Sequence, residues 1–461
     1  KREVDERTGQ LEPVVHKKDS FVFRLSGRDR QRSASYYTPE VLTRCVVKHA
    51  LAELLDQDGR TTAAAEILNL TICEPALGSG AFLNEAINQL AVEYLRRAQA
   101  ETGKEIEPAA YIDELQKVKA HLALHQSYGV DLNRTAVELA EVSMWLNCMH
   151  EGLQAPWYGL HLRRGNSLIG APRAVYTHEI LRAAKWSELP AHERPLAGEA
   201  VASHEVHQFL LPAHGWGAAG DAKEAKELRK GQAEALRTWR KTMLQPLNAQ
   251  YLDRLSRLSR RVEALWQLVT PTLEAAERGL RRPLNVWGVA PSHAKPLSAE
   301  AIDQMLANAD SPLGRLRLVM NAWCAMWFWP LDGATPPGMA QWLDALEGVL
   351  GRGSNEPPIG QLDLFADLEE VMQANTQIRF DFDQRLVADV LADHPWLQQA
   401  ADIADREGFW HWELEWAHLF EKGGFDLQVG NPPWVRINWE DDVVLGEFDP
   451  WFGLTEKAPD A

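Results

Sequence analysis

A glycine-containing turn between an apolar run and an amphipathic helix constrains the fold of this sequence more than any other feature. The apolar run covers residues 67–72, and residues 73–80 read Cys-Glu-Pro-Ala-Leu-Gly-Ser-Gly. Apolar side chains then recur at helical spacing from Phe82 to Tyr94. A strand, a glycine turn and a helix in this order let the backbone approach a ligand closely at a helix N-terminus. The order predicts an α/β fold with the beginning of a nucleotide-type site.

Two further predicted strands end in polar residues. Residues 127–133 have the pattern of a short strand ending at Asp131, and residues 160–168 that of a strand running into a turn with Asn166. Asp131 follows the glycine turn by much more than the roughly 20 residues usual for an acid in this position. A polar helical insertion over residues 96–126 accounts for the difference. The alternative interpretation is that Asp131 caps the following helix.

The motif Asn431-Pro432-Pro433-Trp434 follows a predicted strand at residues 425–429. Asn431 offers a side-chain carbonyl and Pro432 a main-chain carbonyl as acceptors, and Trp434 a flat aromatic face. Such a group can accept two hydrogen bonds from an amino nitrogen while the aromatic ring stacks on the ring that carries the amine. The alternative is an ordinary Pro-Pro turn after a strand, with Trp434 as a core anchor.

A helix is predicted to begin at the sequence Tyr-Tyr-Thr-Pro-Glu of residues 36–40, with Thr38 as N-cap and Pro39 at the first helical position. Apolar spacing continues it to about Leu55. The preceding arm, residues 1–35, carries nine Lys or Arg against six acids. A solvated arm and a phosphate-contacting arm are both open interpretations.

The composition excludes several classes of protein. A formal charge of −17 argues against a surface that is basic throughout, so nucleic-acid contact would require a local patch. Four scattered cysteines form no C-x-x-C pair, which indicates neither a zinc site nor a disulfide framework and fits a cytoplasmic protein. We predict no metal site. The longest apolar run, residues 319–329, is too short for a bilayer and is interpreted as a buried helix.

The interval between Asn166 and Asn431 is far longer than one crossover needs. Its pattern is mostly helical, with a solvated helical hairpin predicted over residues 224–269, broken near Pro246, and a linker at residues 351–360.

Together these motifs resemble the S-adenosylmethionine-dependent N6-adenine DNA methyltransferases. The chain looks most similar to the large phage-defence and type IIG group, in particular the methylases of class 1 DISARM systems, with those of BREX systems similar. The resemblance covers about residues 34–170 and 408–440. The family more often has Asp and Cys where this chain has Glu74 and Leu77, and Tyr or Phe where it has Trp434.

The resemblance implies a cofactor, S-adenosylmethionine, and the residues that bind it. The helix start would border the methionine end, the glycine turn would cradle the cofactor, Asp131 would accept from the ribose hydroxyls, and Leu132 and Asn166 would contact the adenine. The implied cofactor-binding residues are Tyr37, Thr38, Pro39, Glu74, Pro75, Ala76, Gly78, Gly80, Phe82, Asp131, Leu132 and Asn166.

The resemblance also implies the catalytic residues Asn431, Pro432, Pro433 and Trp434. Asn431 and the Pro432 carbonyl would hold the N6 amine of a flipped-out adenine, and Trp434 would stack on the base. The expected partners are double-stranded DNA and other subunits of a phage-defence system, with no membrane. Methylation of RNA adenine or protein glutamine, and a non-catalytic cofactor-binding subunit, remain alternatives.

The implied fold is a doubly wound, Rossmann-like class I methyltransferase sheet with a large, mostly helical insertion. We predict an N-terminal arm at residues 1–35, the cofactor half of the core at 36–175, the insertion at 176–407, and the catalytic part of the core at 408–461. Because few residues follow Asn431 and the chain opens at Lys1, we expect the remaining strands and the natural start to lie outside this sequence.

Overall fold

The computed structural model describes residues 2–4, 11–13, 38–183, 185–280, 284–289, 298–352, 377, 379 and 381–432. The chain divides into two compact units, Lys1–Tyr36 with Pro433–Ala461, and Tyr37–Pro432. In the first unit the structure describes an antiparallel pair, β1 (Arg2–Val4) and β2 (Leu11–Pro13). Tyr37, Pro433, Trp434 and the predicted linker from residue 353 onward lie outside the described residues.

The second unit contains a parallel sheet and a small antiparallel sheet. Its strands are β3 (Ile72–Glu74), β4 (Ser127–Asp131), β5 (Leu162–Arg164), β6 (Ala174–Thr177), β7 (His192–Glu193), β8 (Glu205–His207) and β9 (Leu427–Gln428). The parallel sheet has the order β5-β4-β3-β9. The prediction of an α/β chain with a parallel sheet is confirmed, and the strand order is compatible with a Rossmann-like methyltransferase.

Most of the remaining described chain is helical. The helices are α1 (Glu40–Leu54), α2 (Ala64–Ile67), α3 (Ala81–Thr102), α4 (Tyr111–His125), α5 (Arg134–Cys148), α6 (His178–Arg182), α7 (Lys223–Leu228), α8 (Lys230–Met243), α9 (Ala249–Leu280), α10 (Ala299–Ala307), α11 (Pro312–Ala325), α12 (Met339–Leu350), α13 (Val387–Asp393), α14 (Pro395–Glu407), α15 (Trp412–Glu415) and α16 (Ala417–Phe420).

Both faces of the parallel sheet are covered, as parallel sheets require. Successive residues of β3 point to opposite faces, so Ile72 packs with the side chains of α3, α4 and α5, while Cys73 packs with Trp410 and Trp416. The insertion predicted at residues 96–126 is helical, as expected, since it consists of the end of α3 and of α4. It is amphipathic rather than polar throughout. Helix α4 buries Val118, for example, in the same core.

The long interval between β5 and β9 differs from its prediction in two ways. Its α8–α9 hairpin breaks between Met243 and Ala249, as expected, but α9 is largely buried and carries much of the insertion core, including Val262 and Leu265. The three-stranded antiparallel sheet, order β7-β6-β8, was not predicted. Strand β6 spans the proposed boundary after residue 175, and the domain division stays a prediction.

The chain leaves and rejoins the parallel sheet at one place. Asn166 and Phe409 form a parallel bridge, and the Trp410 N–H donates to the Ile169 carbonyl at 2.8 Å. The two chain segments pass so closely that a Cβ on Gly170 would lie 1.9 Å from the Trp410 carbonyl oxygen. The start and the end of the excursion are therefore joined by main-chain contacts.

An ion pair fastens the returning segment to the insertion. Arg317 on α11 donates Nε and Nη2 to the two carboxylate oxygens of Glu415 on α15, at 2.6 and 2.8 Å. The Glu415 side chain is 6% exposed and that of Arg317 24%. Such a bidentate geometry fixes orientation as well as distance.

The apolar run at residues 319–329 is mostly buried and largely helical, as predicted. It belongs to α11 and the 3₁₀ turn Met326–Phe328, and Met320, Ala325 and Met326 have no exposed surface. Within the described part of the chain, no helix has the length and apolar character that crossing a membrane would need.

Candidate functional site

The candidate site lies at the carboxyl ends of the neighbouring strands β3 and β9. From β3 the chain continues to β4 and β5 on one side of it, whereas β9 lies on the other side. Ligands of open α/β sheets bind at such a switch point. The Val429 N–H donates to the Cys73 carbonyl at 3.0 Å, which holds the loop with Asn431 beside β3. The position of a Cβ on Gly430 lies 3.6 Å from Pro75 Cδ. The Asn-Pro loop and the glycine turn are therefore adjacent, as the sequence implied.

The two predicted glycines of the turn have different roles. Both adopt positive φ, +52° at Gly78 and +72° at Gly80. A Cβ on Gly80 would lie 3.3 Å from Ala140 Cβ, so this glycine allows α3 to pack against α5. Around Gly78 no atom of the described residues, apart from the glycine and its two chain neighbours, lies within 4 Å of the Cβ position. Open space beside the turn fits a bound ligand in close contact with the backbone.

Glu74 is buried, with 2% of its surface exposed, and its Oε2 accepts from the Leu83 N–H at 3.1 Å. Burial raises the pKa of this carboxyl well above its usual range, and the charge of Asp131 acts in the same direction, although the N–H groups of Leu83 and Phe82 oppose it. Glu74 therefore anchors the turn to the N-terminus of α3. The Phe82 side chain is in the hydrophobic core, so only its backbone can face a ligand.

Asp131 links the second strand to the glycine turn. Its Oδ2 accepts from the Gly78 N–H and its Oδ1 from the Asn133 N–H, both at 2.8 Å. Burial raises the pKa of its carboxyl. The helix-cap alternative is wrong, because the N-cap of α5 is Asn133, whose side chain accepts from the Thr135 N–H. Asp131 instead lies at the turn, where the predicted cofactor site requires it.

Leu132 and Asn166 lie on either side of a glycine that the sequence did not single out. The Leu132 side chain is 43% exposed, and the Asn166 N–H donates to the Gly408 carbonyl at 2.5 Å. A Cβ on Gly408, whose φ is +66°, would lie 2.9 Å from Leu132 Cδ1. Gly408 thus completes the edge of the site from a distant part of the chain. Its position directly after α14 was the only sequence signal for it.

Asn431 reaches the start of α1. Its Nδ2 donates to Thr38 Oγ1 at 3.3 Å, so a predicted catalytic residue contacts a predicted cofactor residue. The prediction that Thr38 caps α1 is wrong, since Pro39 occupies the N-cap position and no side chain caps it. Asn431 and Pro432 are exposed. The same side chain carries a carbonyl oxygen, the type of acceptor that the motif requires for a substrate amine.

Among the residues that the structure describes, no three His, Cys, Asp or Glu side chains come together in a way that could hold a metal ion. The site instead combines an open glycine turn, two buried or half-buried carboxyl groups and an exposed amide. This set can bind a small polar molecule against the backbone and hold an amino group beside it.

Comparisons with known proteins agree with this chemistry. The family model described as Eco57I restriction-modification methylase matches residues 125–449, more than half of the chain. A Methanocaldococcus jannaschii protein named "Putative type II restriction enzyme and methyltransferase RM.MjaORFECS2P" is 26% identical over 193 residues, covering 32% of this chain and 15% of that protein. The chain thus spans a small part of that relative's length. No solved structure matches the chain.

Proposed function

Since this chain belongs to the Eco57I restriction-modification methylase family, we propose that it transfers a methyl group from S-adenosylmethionine to the N6 amine of adenine in DNA. The observation that carries the proposal is the hydrogen bond between Asn431 and Thr38. It ties the amine-holding loop to the helix start beside the glycine turn. The amine and the methyl donor would then be bound next to each other.

The chain's own residues would act mainly by positioning and electrostatics. S-adenosylmethionine supplies a methyl group on a positively charged sulfur. The Asn431 carbonyl oxygen and the Pro432 carbonyl would accept from the two N6 hydrogens, drawing the nitrogen toward tetrahedral geometry and freeing its lone pair for in-line attack. The bond from nitrogen to the methyl carbon would form as the carbon–sulfur bond breaks, leaving a neutral thioether, and one N6 proton would pass to solvent. Thr38 would keep the amide from rotating. Groups held in this way can supply much of a rate enhancement without a strong base.

We propose that the predicted cofactor residues act at this turn. The space beside Gly78 supports close contact of the cofactor with the backbone, and the exposed Leu132 supports an apolar contact with its adenine. Asp131 already accepts two backbone N–H groups, and each carboxylate oxygen keeps a further lone pair for a ribose hydroxyl. Gly408 joins the proposed set between Leu132 and Asn166.

The target base must leave the duplex for its amine to reach Asn431. Extrusion costs a few kcal/mol, and stacking on an aromatic side chain such as Trp434 is worth roughly 1–3 kcal/mol per base. The roles of Pro433 and Trp434 rest on the motif. Duplex DNA is the proposed substrate, a class I methyltransferase sheet the proposed fold, the cytoplasm the proposed location, and a phage-defence system of the DISARM or BREX kind the proposed setting.

A methylation assay with labelled S-adenosylmethionine tests the proposal. Duplex DNA, RNA and a glutamine-containing protein are offered separately, and the modified atom is identified. We expect transfer to adenine N6 in DNA, and Asn431→Ala to lower kcat by about 10²–10³ while S-adenosylmethionine still binds. The matched control is Asn69→Ala, since Asn69 is exposed and its side-chain amide donates to the Ala65 carbonyl of its own helical turn. Undiminished transfer by Asn431→Ala would rule the proposal out.

A further inference from the structure

A cavity of about 310 Å³ lies in the insertion, between the small antiparallel sheet and α11. Four aromatic side chains line it, Tyr176, Trp186, Trp323 and Trp327. Ligand pockets usually have volumes from about 300 Å³ upward, so this cavity has room for one ring system rather than an extended chain. None of its residues belongs to the site described above.

Three of the four aromatic side chains have their polar atoms bonded to main-chain carbonyls. The indole N–H groups of Trp186 and Trp323 donate to the carbonyls of Pro212 and Leu211, at 3.1 and 2.9 Å. The Tyr176 hydroxyl donates to another main-chain carbonyl at 3.0 Å. These bonds fix the orientation of the three side chains, so a ligand would contact their ring carbons.

Four polar side chains complete the lining, those of Ser187, Glu188, Gln208 and His214. Among the described residues none of the four has a side-chain hydrogen bond or ion pair. They supply donors as well as acceptors next to flat faces. The Trp327 side chain can reach the cavity because residue 215 is a glycine. A Cβ at Gly215 would lie 2.2 Å from the Trp327 indole nitrogen.

We propose that this cavity binds a nucleobase by stacking it on the aromatic rings and hydrogen bonding its edge. Every base has a flat face that stacks on Trp or Tyr. An amide such as that of Gln208 can bond an adenine edge in two places, and a carboxylate such as that of Glu188 accepts from an exocyclic amine. A methylated ammonium ion would also suit aromatic faces and a carboxylate. The amide, hydroxyl and imidazole favour a ring with its own donors and acceptors.

Two exposed basic residues, Arg182 and Lys185, precede the lining residue Trp186 in sequence. Basic side chains of this kind contact phosphate groups, so the base of a nucleic-acid strand is one source of the ligand. An unpaired base of a strand and the base of a free nucleotide share the chemistry that the cavity recognises. The inference goes beyond the proposed function, because binding here requires no methyl transfer.

Equilibrium binding to a short single DNA strand, to the same strand with abasic sites and to adenosine monophosphate tests the proposal. Since stacking of one base corresponds to about 5- to 150-fold in Kd, we expect the normal strand to bind more tightly than the abasic one by a factor in this range. Trp323→Ala should abolish the difference, and Gln208→Ala should change the preference among bases without unfolding the protein. Gln398→Ala, on the exposed face of α14, is the control.

The difference should persist in Trp434→Ala, which removes the stacking residue proposed for the methylation site and so separates that site from this cavity. Competition by adenosine monophosphate would support the proposal and identify a free nucleotide as a sufficient ligand. Equal binding of normal and abasic strands, or a difference that Trp323→Ala and Gln208→Ala both leave intact, would overturn it. Competition by tetramethylammonium but not by nucleotides would overturn it in favour of a cation site.

Discussion

Replacing either glycine of the turn by alanine should separate packing from ligand binding. Both residues have positive φ, so each substitution costs about 1–2 kcal/mol for a left-handed conformation. At Gly78 no packing cost is added, because within the described part of the chain only its sequence neighbours lie near the new methyl group. At Gly80 the methyl group meets Ala140 at 3.3 Å, and overpacking adds about 1–3 kcal/mol. Gly80→Ala should therefore be the less stable variant, by about 1–3 kcal/mol.

Ligand binding should follow the opposite order. The methyl group of Gly78→Ala enters the open space proposed for S-adenosylmethionine, so affinity should fall at least tenfold. A ligand at 100 times its Kd stabilises a protein by about 2.7 kcal/mol, and after a tenfold loss of affinity the gain is about 1.4 kcal/mol. Urea unfolding with and without S-adenosylmethionine measures both quantities. Normal stabilisation of Gly78→Ala by the ligand, or greater stability of Gly80→Ala, would refute the reasoning.

Three other predictions concern single side chains. Because folding raises the pKa of the Glu74 carboxyl, the free energy of unfolding should fall as the pH rises from the usual pKa of a glutamate toward the raised pKa. Glu74→Gln should flatten this dependence in melting experiments between pH 5 and 8. A steeper dependence in the variant would contradict the expected sign. Glu415→Ala should lower the free energy of unfolding by about 3 kcal/mol. This is the low end for breaking a buried ion pair, because the Arg317 side chain is 24% exposed. An effect no larger than that of Glu421→Ala, at an exposed glutamate, would show that the ion pair contributes little to stability. Thr38→Val should lower kcat about fivefold, because it removes one hydrogen bond that contributes about 1 kcal/mol. Thr38→Ser keeps the hydroxyl and should restore kcat. Equal rates for the two variants would exclude a role of the hydroxyl.

Much of the site could be predicted because its parts follow strands at short range. Glu74, Gly78, Asp131 and Asn431 each lie at or just after the end of a strand, and parallel strands bring those ends to one edge of a sheet. The contact between Asp131 and the glycine turn is an example that the structure confirms. The catalytic and cofactor roles of these residues stay predictions.

What could not be predicted depends on partners distant in sequence. Thr38 is a residue type common at helix N-caps, but its hydroxyl accepts a hydrogen bond from the Asn431 side chain instead. Gly408 acquires its place only when α14 brings it against Leu132. Helix α9 looked solvated because of its charged residues, yet Arg261 lies over the Phe382 ring at 3.9 Å within the core. Side chains with long apolar stems can be buried in this way, which composition alone does not reveal.

The bridge between Asn166 and Phe409 has a further consequence. The bridge holds the two ends of the insertion together, so the length of the chain between them has little effect on stability. The entropy lost on closing a loop grows only logarithmically with the number of residues in it. Segments of different length could be exchanged at this point without shifting the register of the parallel sheet. These main-chain contacts would let the insertion be replaced as a unit, while Gly408, whose carbonyl accepts from the Asn166 N–H, stays at the edge of the candidate site.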